Sequence, residues 1–179
     1  MLTKRPNIGA RLLAEQWDRI PSNIWVGSTI ENQEWADKRL PHLLEVEAAI
    51  RFVSVEPQLG PVDLRPYLGQ GSGKINWVIC GGESGAGARG WTDMLGWYRS
   101  LRDQCAEAGV PFFFKQWGRF MQEGEQIYRL RGKNPDNLLD GLRWEQYPDE
   151  VREPKPGIRR RPPSRFDRLL EDRYDCLAG

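Results

Sequence analysis

Ile75-Asn76-Trp77-Val78-Ile79-Cys80-Gly81-Gly82-Glu83-Ser84-Gly85-Ala86-Gly87-Ala88-Arg89 joins two kinds of sequence in one stretch. Its first half is a continuous apolar run with β-branched residues, the pattern of a strand buried on both faces of a parallel sheet. Its second half is a glycine-dense turn leading into a helical pattern that starts near Thr92. A buried strand that ends in a polar loop before a helix is where open sheets and β/α barrels keep their ligands. Glu83 is the one charged residue from Gly81 to Ala88, and it sits where the strand would release it. It reads either as a ligand-contacting carboxylate beside free backbone amides, or as part of a connection whose glycines only supply positive φ angles.

On either side of this stretch the chain alternates strand and helix. Met1 to Pro6 reads as the tail of a strand, which Pro6 ends. Ile8, Leu12, Leu13 and Trp17 recur at helical spacing behind Asn7, a candidate cap. The run from Ile24 to Ile30 reads as a strand ending in Glu31-Asn32. The helix after it passes Trp35, Ala36 and Leu40 and is expected to break or restart at Pro41. Arg51 to Val55 is the third strand and ends in Glu56-Pro57. Residues 61–66 leave room only for a short helix, and Gln70 to Lys74 is a flexible loop. Beyond the organising strand, Met94, Leu95, Trp97, Tyr98, Leu101 and Cys105 mark a helix to Ala108, with Gly109 at its C-cap. Val110 to Phe114 is the fifth strand, ending in Lys115-Gln116.

This repetition predicts a parallel sheet with right-handed crossovers. The strand ends then converge on one rim, bringing Glu31, Asn32, Glu56, Gly81, Gly82, Glu83, Ser84, Lys115 and Gln116 together as a ligand-binding set. Each has a simpler reading: Glu56 before Pro57 can start a turn, and Lys115 can pair with a neighbouring glutamate.

Composition narrows the class. The 179 residues suffice for one domain with a real core, and 39% hydrophobic with 28% charged residues is ordinary for a soluble protein. A net charge of +1 gives no global reason to bind nucleic acid or membranes. No apolar run approaches the roughly 20 residues of a membrane span, and no signal-peptide pattern is present. Cys80, Cys105 and Cys176 are scattered and odd in number, so a reducing cytoplasm is expected. There is no Cys-x-x-Cys, and His42 is the only histidine, so no metal site is expected. With one histidine and no serine elbow there is no hydrolase triad. Whether the chain is an enzyme stays open on residues alone.

Several segments together carry a resemblance. They are Leu2-Thr3-Lys4-Arg5-Pro6, Asn23-Ile24-Trp25-Val26-Gly27, Glu31-Asn32-Gln33, Phe52-Val53-Ser54-Val55-Glu56-Pro57 and Leu59-Gly60-Pro61-Val62, with Gly81-Gly82-Glu83-Ser84-Gly85 and the run from Val110 to Gly118. With Leu138-Leu139-Asp140-Gly141 and Trp144 they resemble, over most of residues 1–147, a phage-type three-cysteine-motif family thought to be radical-SAM-like. The resemblance implies a β/α barrel, an iron–sulfur cluster held by an N-terminal cysteine motif, and S-adenosylmethionine. That motif is not in this sequence, and Cys80, Cys105 and Cys176 do not match its spacing. The chain alone is therefore expected to hold no cofactor. The cluster and S-adenosylmethionine enter only if a complementary chain supplies the cysteines.

After Trp144 the character changes. Prolines at 148, 154, 156, 162 and 163 punctuate a segment rich in arginine, so residues 148–163 read as a linker. Ser164 can cap a closing helix over 164–179 whose apolar face holds Phe166, Leu169, Leu170 and Tyr174. The expected whole is an α/β chain: a partial (β/α) barrel of about five parallel strands over residues 1–147, a linker and a terminal amphipathic helix. It reads as a split member of the phage-type family that acts with a complementary N-terminal chain or as a homo-oligomer, because an unclosed sheet leaves an edge near Leu2-Thr3 and apolar faces such as Trp25 and Phe52. The alternative is a noncatalytic phage-encoded protein that binds nucleic acid or another protein through Arg159, Arg160, Arg161 and Arg165.

Overall fold

Trp77–Gly81 is a strand, and it is the fourth of a five-stranded, all-parallel sheet. The computed structural model describes residues 1–130 and 137–148. Its sheet runs β1 (Leu2–Thr3), β2 (Val26–Ile30), β3 (Arg51–Val55), β4 (Trp77–Gly81) and β5 (Phe112–Gln116), in that spatial order. Sequential strands are neighbours throughout. With right-handed crossovers this order places every connection on one face, as in a β/α barrel, whereas a doubly wound sheet reverses direction part-way. The chain is an α/β protein built as a partial β/α barrel.

Three helices fill the connections: α1 (Pro6–Gln16), α2 (Gln33–Leu44) and α3 (Met94–Glu107). Pro6 both ends β1 and opens α1, where its missing N–H costs nothing, so the cap position falls on Arg5 rather than Asn7. Asn32 caps α2 by accepting the Trp35 amide at 3.1 Å. That helix runs through Pro41 where a break was expected. Proline there frees the carbonyl four residues back, on Asp37, which is an exposed residue. Gly109 takes a φ of +64° after α3, as a helix end requires.

Strand parity divides the sheet into two faces. Val53, Val55, Val78, Cys80, Phe112 and Phe114 face the helices and are buried among Leu40, Leu43, Tyr98 and Leu101. The other parity presents Phe52, Trp77 and Phe113, whose rings touch at 5.6 and 6.3 Å, with Trp25 at 5.7 Å from Trp77. Among the described residues no helix covers this face. Gly27 pairs with Phe52 in register, and a Cβ on Gly27 would stand 2.5 Å from the Phe52 ring, so glycine is what lets that ring lie flat over β2.

The segment from 57 to 75 is irregular, without the short helix expected at 61–66. Side chains hold it instead. Gln104 of α3 accepts the Leu64 amide and donates to the Val62 carbonyl. The buried Arg51 donates to the carbonyls of Val46, Ala48, Gly71 and Lys74. A helix would consume the amide and carbonyl groups that these side chains bind.

Two hairpins follow β5 that periodicity did not announce: β6 (Phe120–Glu123) with β7 (Gln126–Arg129), and β8 (Leu138–Leu139) with β9 (Leu142–Arg143). Asp140-Gly141 turns the second with φ of 56° and 73°. Residues 144–146 then run antiparallel along β5: the Phe114 amide donates to Trp144 and the Gln146 amide to Phe112. Tyr147 lands on Trp77 and Phe113, at 5.4 Å from each. Phe52 and Trp77 are only 9% and 8% exposed, while Trp25, Ile79 and Phe113 on the same face stay half-buried, so the face expected to lie open is covered in part. β1 pairs only with β2 among the described residues. The linker beyond Pro148, the terminal helix and Arg159, Arg160, Arg161 and Arg165 lie outside the described residues. Within them, no helix is long and apolar enough to cross a membrane.

Candidate functional site

The C-terminal ends of β1 to β5 form one rim, and on the helix-free parity it carries Lys4, Glu31, Glu56, Gly81 and Lys115. Register explains how two of these meet across a strand. Cys80 pairs with Phe114 but Gly81 pairs with Gln116, so Lys115 is the extra residue of a β-bulge. The bulge aims its ammonium over β4, where Gly81 has no side chain to obstruct it. Glu56 reaches over Gly81 from the opposite side, and a Cβ on Gly81 would lie 2.7 Å from the Glu56 Oε1. Lys115 Nζ and Glu56 Oε1 are 3.2 Å apart as a result. Ser54, two residues earlier on the same face, donates its hydroxyl to Glu56 Oε2 at 2.9 Å.

Glu31 forms a second group. Its carboxylate takes Lys4 on one oxygen and Arg39 of α2 on the other, the latter at 2.9 Å. Arg39 also donates to the Thr29 carbonyl at 2.8 Å and stacks on the Trp35 ring at 4.0 Å. Both Glu31 and Arg39 are buried, so this pair fixes α2 to β2, with Lys4 as its exposed member.

The remaining expected site residues take other positions. Asn32 is the α2 cap. The Gly82 amide donates to the Gln116 carbonyl at 2.9 Å, and the Gly81 carbonyl accepts the Gln58 amide at 3.0 Å. These backbone groups extend the sheet and tie down the chain after β3. A Cβ on Gly82 would stand 1.9 Å from the Trp117 carbonyl oxygen, so close approach of two backbones explains that glycine. Glu83 binds Arg89 through both carboxylate oxygens at 3.0 Å and also accepts the Arg89 amide. The bonds from Arg89 hold its carboxyl below the ordinary range, partly opposed by burial. Ser84 lies exposed in the loop that this clamp closes.

Residues 1–148 match the family described as Protein of unknown function (DUF5131). The chain belongs to that family. Among curated proteins nothing matches this DUF5131 chain, and no solved structure matches it.

The rim of the DUF5131 chain combines an exposed ammonium, a half-buried carboxylate and a hydroxyl above an apolar floor of Ile79 and Phe113, the next residues down on the same face. It can exchange its internal ion pair for the charged groups of a ligand, because a half-exposed pair of this kind contributes only about 0–1 kcal/mol. Sequence reasoning missed Ser54, Lys4 and Arg39. The strand alternation around Glu56 was the signal available for Ser54; Arg39 could be placed only once α2 was seen to pack against β2.

Proposed function

We propose that the helix-free face of this sheet is the ligand face of a radical-SAM-like, phage-type protein, and that Glu56 and Lys115 receive the ammonium and carboxylate of S-adenosylmethionine. The bulge at Lys115 carries this reading: beside Gly81 it holds an exposed ammonium 3.2 Å from a carboxylate, at the strand ends where β/α barrels bind ligands. A zwitterionic head replaces each half of the pair with an opposite charge and leaves neither alone. Ser54 continues to satisfy Glu56 during the exchange, and Ile79 and Phe113 offer apolar surface to the rest of the ligand. Bound here, S-adenosylmethionine would supply the reactive carbon; the chain orients it through these charges.

The described cysteines do not fit an iron–sulfur cluster. Cys80 is fully buried, with its thiol donating to Gln58 Oε1 and pushed well above its ordinary value by burial and by the Glu56 charge. Burial pushes Cys105 up to about 12. Cluster ligands are thiolates, which these sites disfavour. A complementary chain is the proposed source of any cluster cysteines.

Calorimetric titration with S-adenosylmethionine tests the reading. The cluster would need a complementary chain, but both charges of the rim belong to this one. Unlike the expectation from sequence, saturable binding is therefore proposed for the chain as it stands, weakened about tenfold or more by Lys115→Met and by Glu56→Gln, and unchanged by Arg11→Ala on the outer surface of α1. Equal affinity in all four proteins refutes it.

A further inference from the structure

Arg119 is a second cation near the rim, and the fold roots it firmly. Its amide donates to the Glu83 carbonyl at 2.8 Å, and its own carbonyl accepts the Leu130 amide at 2.9 Å. Gly118, just before it, has a φ of +85°, and a Cβ there would meet the Glu83 carbonyl oxygen at 2.3 Å. The backbone can move neither toward nor away from the end of β4. The side chain that leaves this anchored backbone has its Nε buried with no hydrogen-bond partner among the described residues. The residue as a whole is only partly buried.

Among the described residues the nearby carboxylate of Glu83 does not answer it. Glu83 supplies its backbone to Arg119 but both carboxylate oxygens to Arg89. Trp91 adds a second orphan: its indole N–H is buried and has no partner among the described residues. The two donors come from segments that touch, since a Cβ on Gly90 would stand 3.0 Å from the Phe120 ring. Buried N–H groups without acceptors are rare in native proteins, and a guanidinium fork matches the geometry of a carboxylate or phosphate.

We propose that Arg119 and Trp91 form an oxyanion site at the base of the 83–90 loop, taking a carboxylate or phosphate group of a ligand. The site is separate from the Glu56–Lys115 pair and stands whether or not S-adenosylmethionine binds there.

Side-chain nitrogen spectra of the arginines, recorded on the whole chain at constant ionic strength in chloride, test it. Added inorganic phosphate should shift the Arg119 Nε–H resonance saturably and raise the thermal midpoint, as binding to the folded state requires. Arg119→Met should abolish both responses, and Trp91→Phe, which keeps the ring but loses the N–H, should weaken saturation about tenfold. Acetate is the second arm. Saturation by acetate as well assigns the site to oxyanions in general, and saturation by phosphate alone assigns it to phosphoryl groups. No saturation by either anion overturns the proposal. So does an undiminished phosphate response in Arg119→Met, or, if that variant does not fold, in Trp91→Phe.

Discussion

Alanine at Gly81 and alanine at Gly82 should have opposite consequences, although the two residues are adjacent and both buried. At Gly82 the new Cβ would stand 1.9 Å from the Trp117 carbonyl oxygen, 2.7 Å from its carbon and 2.7 Å from the Tyr98 hydroxyl. None of these can yield cheaply. The Trp117 backbone follows Gln116, which is bonded to Gly82 itself, and Tyr98 is packed between Phe114 and Trp117 at 5.2 and 5.3 Å. Relief requires pulling β4 from β5, so Gly82→Ala is expected to cost about 4 kcal/mol or more. That is a large part of the roughly 5–15 kcal/mol that stabilises a domain. At Gly81 the only tight neighbour is Glu56 Oε1, at 2.7 Å, the far end of a side chain that can rotate away. What is lost is the pairing with Lys115, so Gly81→Ala should cost only about 1 kcal/mol while disrupting the rim. Urea unfolding followed by tryptophan fluorescence, with the denaturant slopes checked for equality, measures both. Similar losses for the two variants, or a larger loss at Gly81, would refute this account of how the strand ends pack.

Two further outcomes follow from the ion pairs. Arg39→Met leaves Glu31 buried with only the exposed Lys4 and removes the shorter of the side-chain hydrogen bonds to the Thr29 carbonyl, leaving that from Ser28. It should destabilise by about 3 kcal/mol, and adding Glu31→Gln should recover part of the loss; an Arg39→Met variant within about 0.5 kcal/mol of the parent would contradict the buried-pair reading. Asp140 is held below its ordinary value of 3.8 first by bonds from Arg99, then, after opposition from burial, by Arg102. A carboxyl depressed on folding contributes stability that is complete above its unfolded value and is lost as pH falls through the folded one. Urea midpoints between about pH 5 and 3 should therefore fall more steeply for the parent chain than for Asp140→Asn. Parallel profiles would show that the pair does not tie the β8–β9 hairpin to α3.

Where the signal is local, the sequence carries it. Five strands, the helices between them except in the irregular β3–β4 connection, the cap at Gly109 and the convergence of Glu31, Glu56 and Lys115 on one rim were legible. Each depends on spacing within a few residues or on the single handedness of crossovers. Helix boundaries near Pro6 and Pro41 were less so, because proline fits the first turn of a helix without cost and the carbonyl that Pro41 frees lies on the exposed Asp37.

Alternation and composition determined by themselves that this chain is a singly handed parallel α/β protein with polar strand ends. Which polar residues touch was decided only in three dimensions. Lys115 meets Glu56, 59 residues away, because a bulge slips the β4–β5 register by one and Gly81 leaves a gap. Gly82, read as a site residue, serves a backbone contact, while no local pattern marks Arg119, whose Nε is buried without an acceptor among the described residues. Strand formation follows a period of two that neighbours in sequence reveal, but register, bulges and orphaned donors arise from pairing between distant segments, and no local pattern records them.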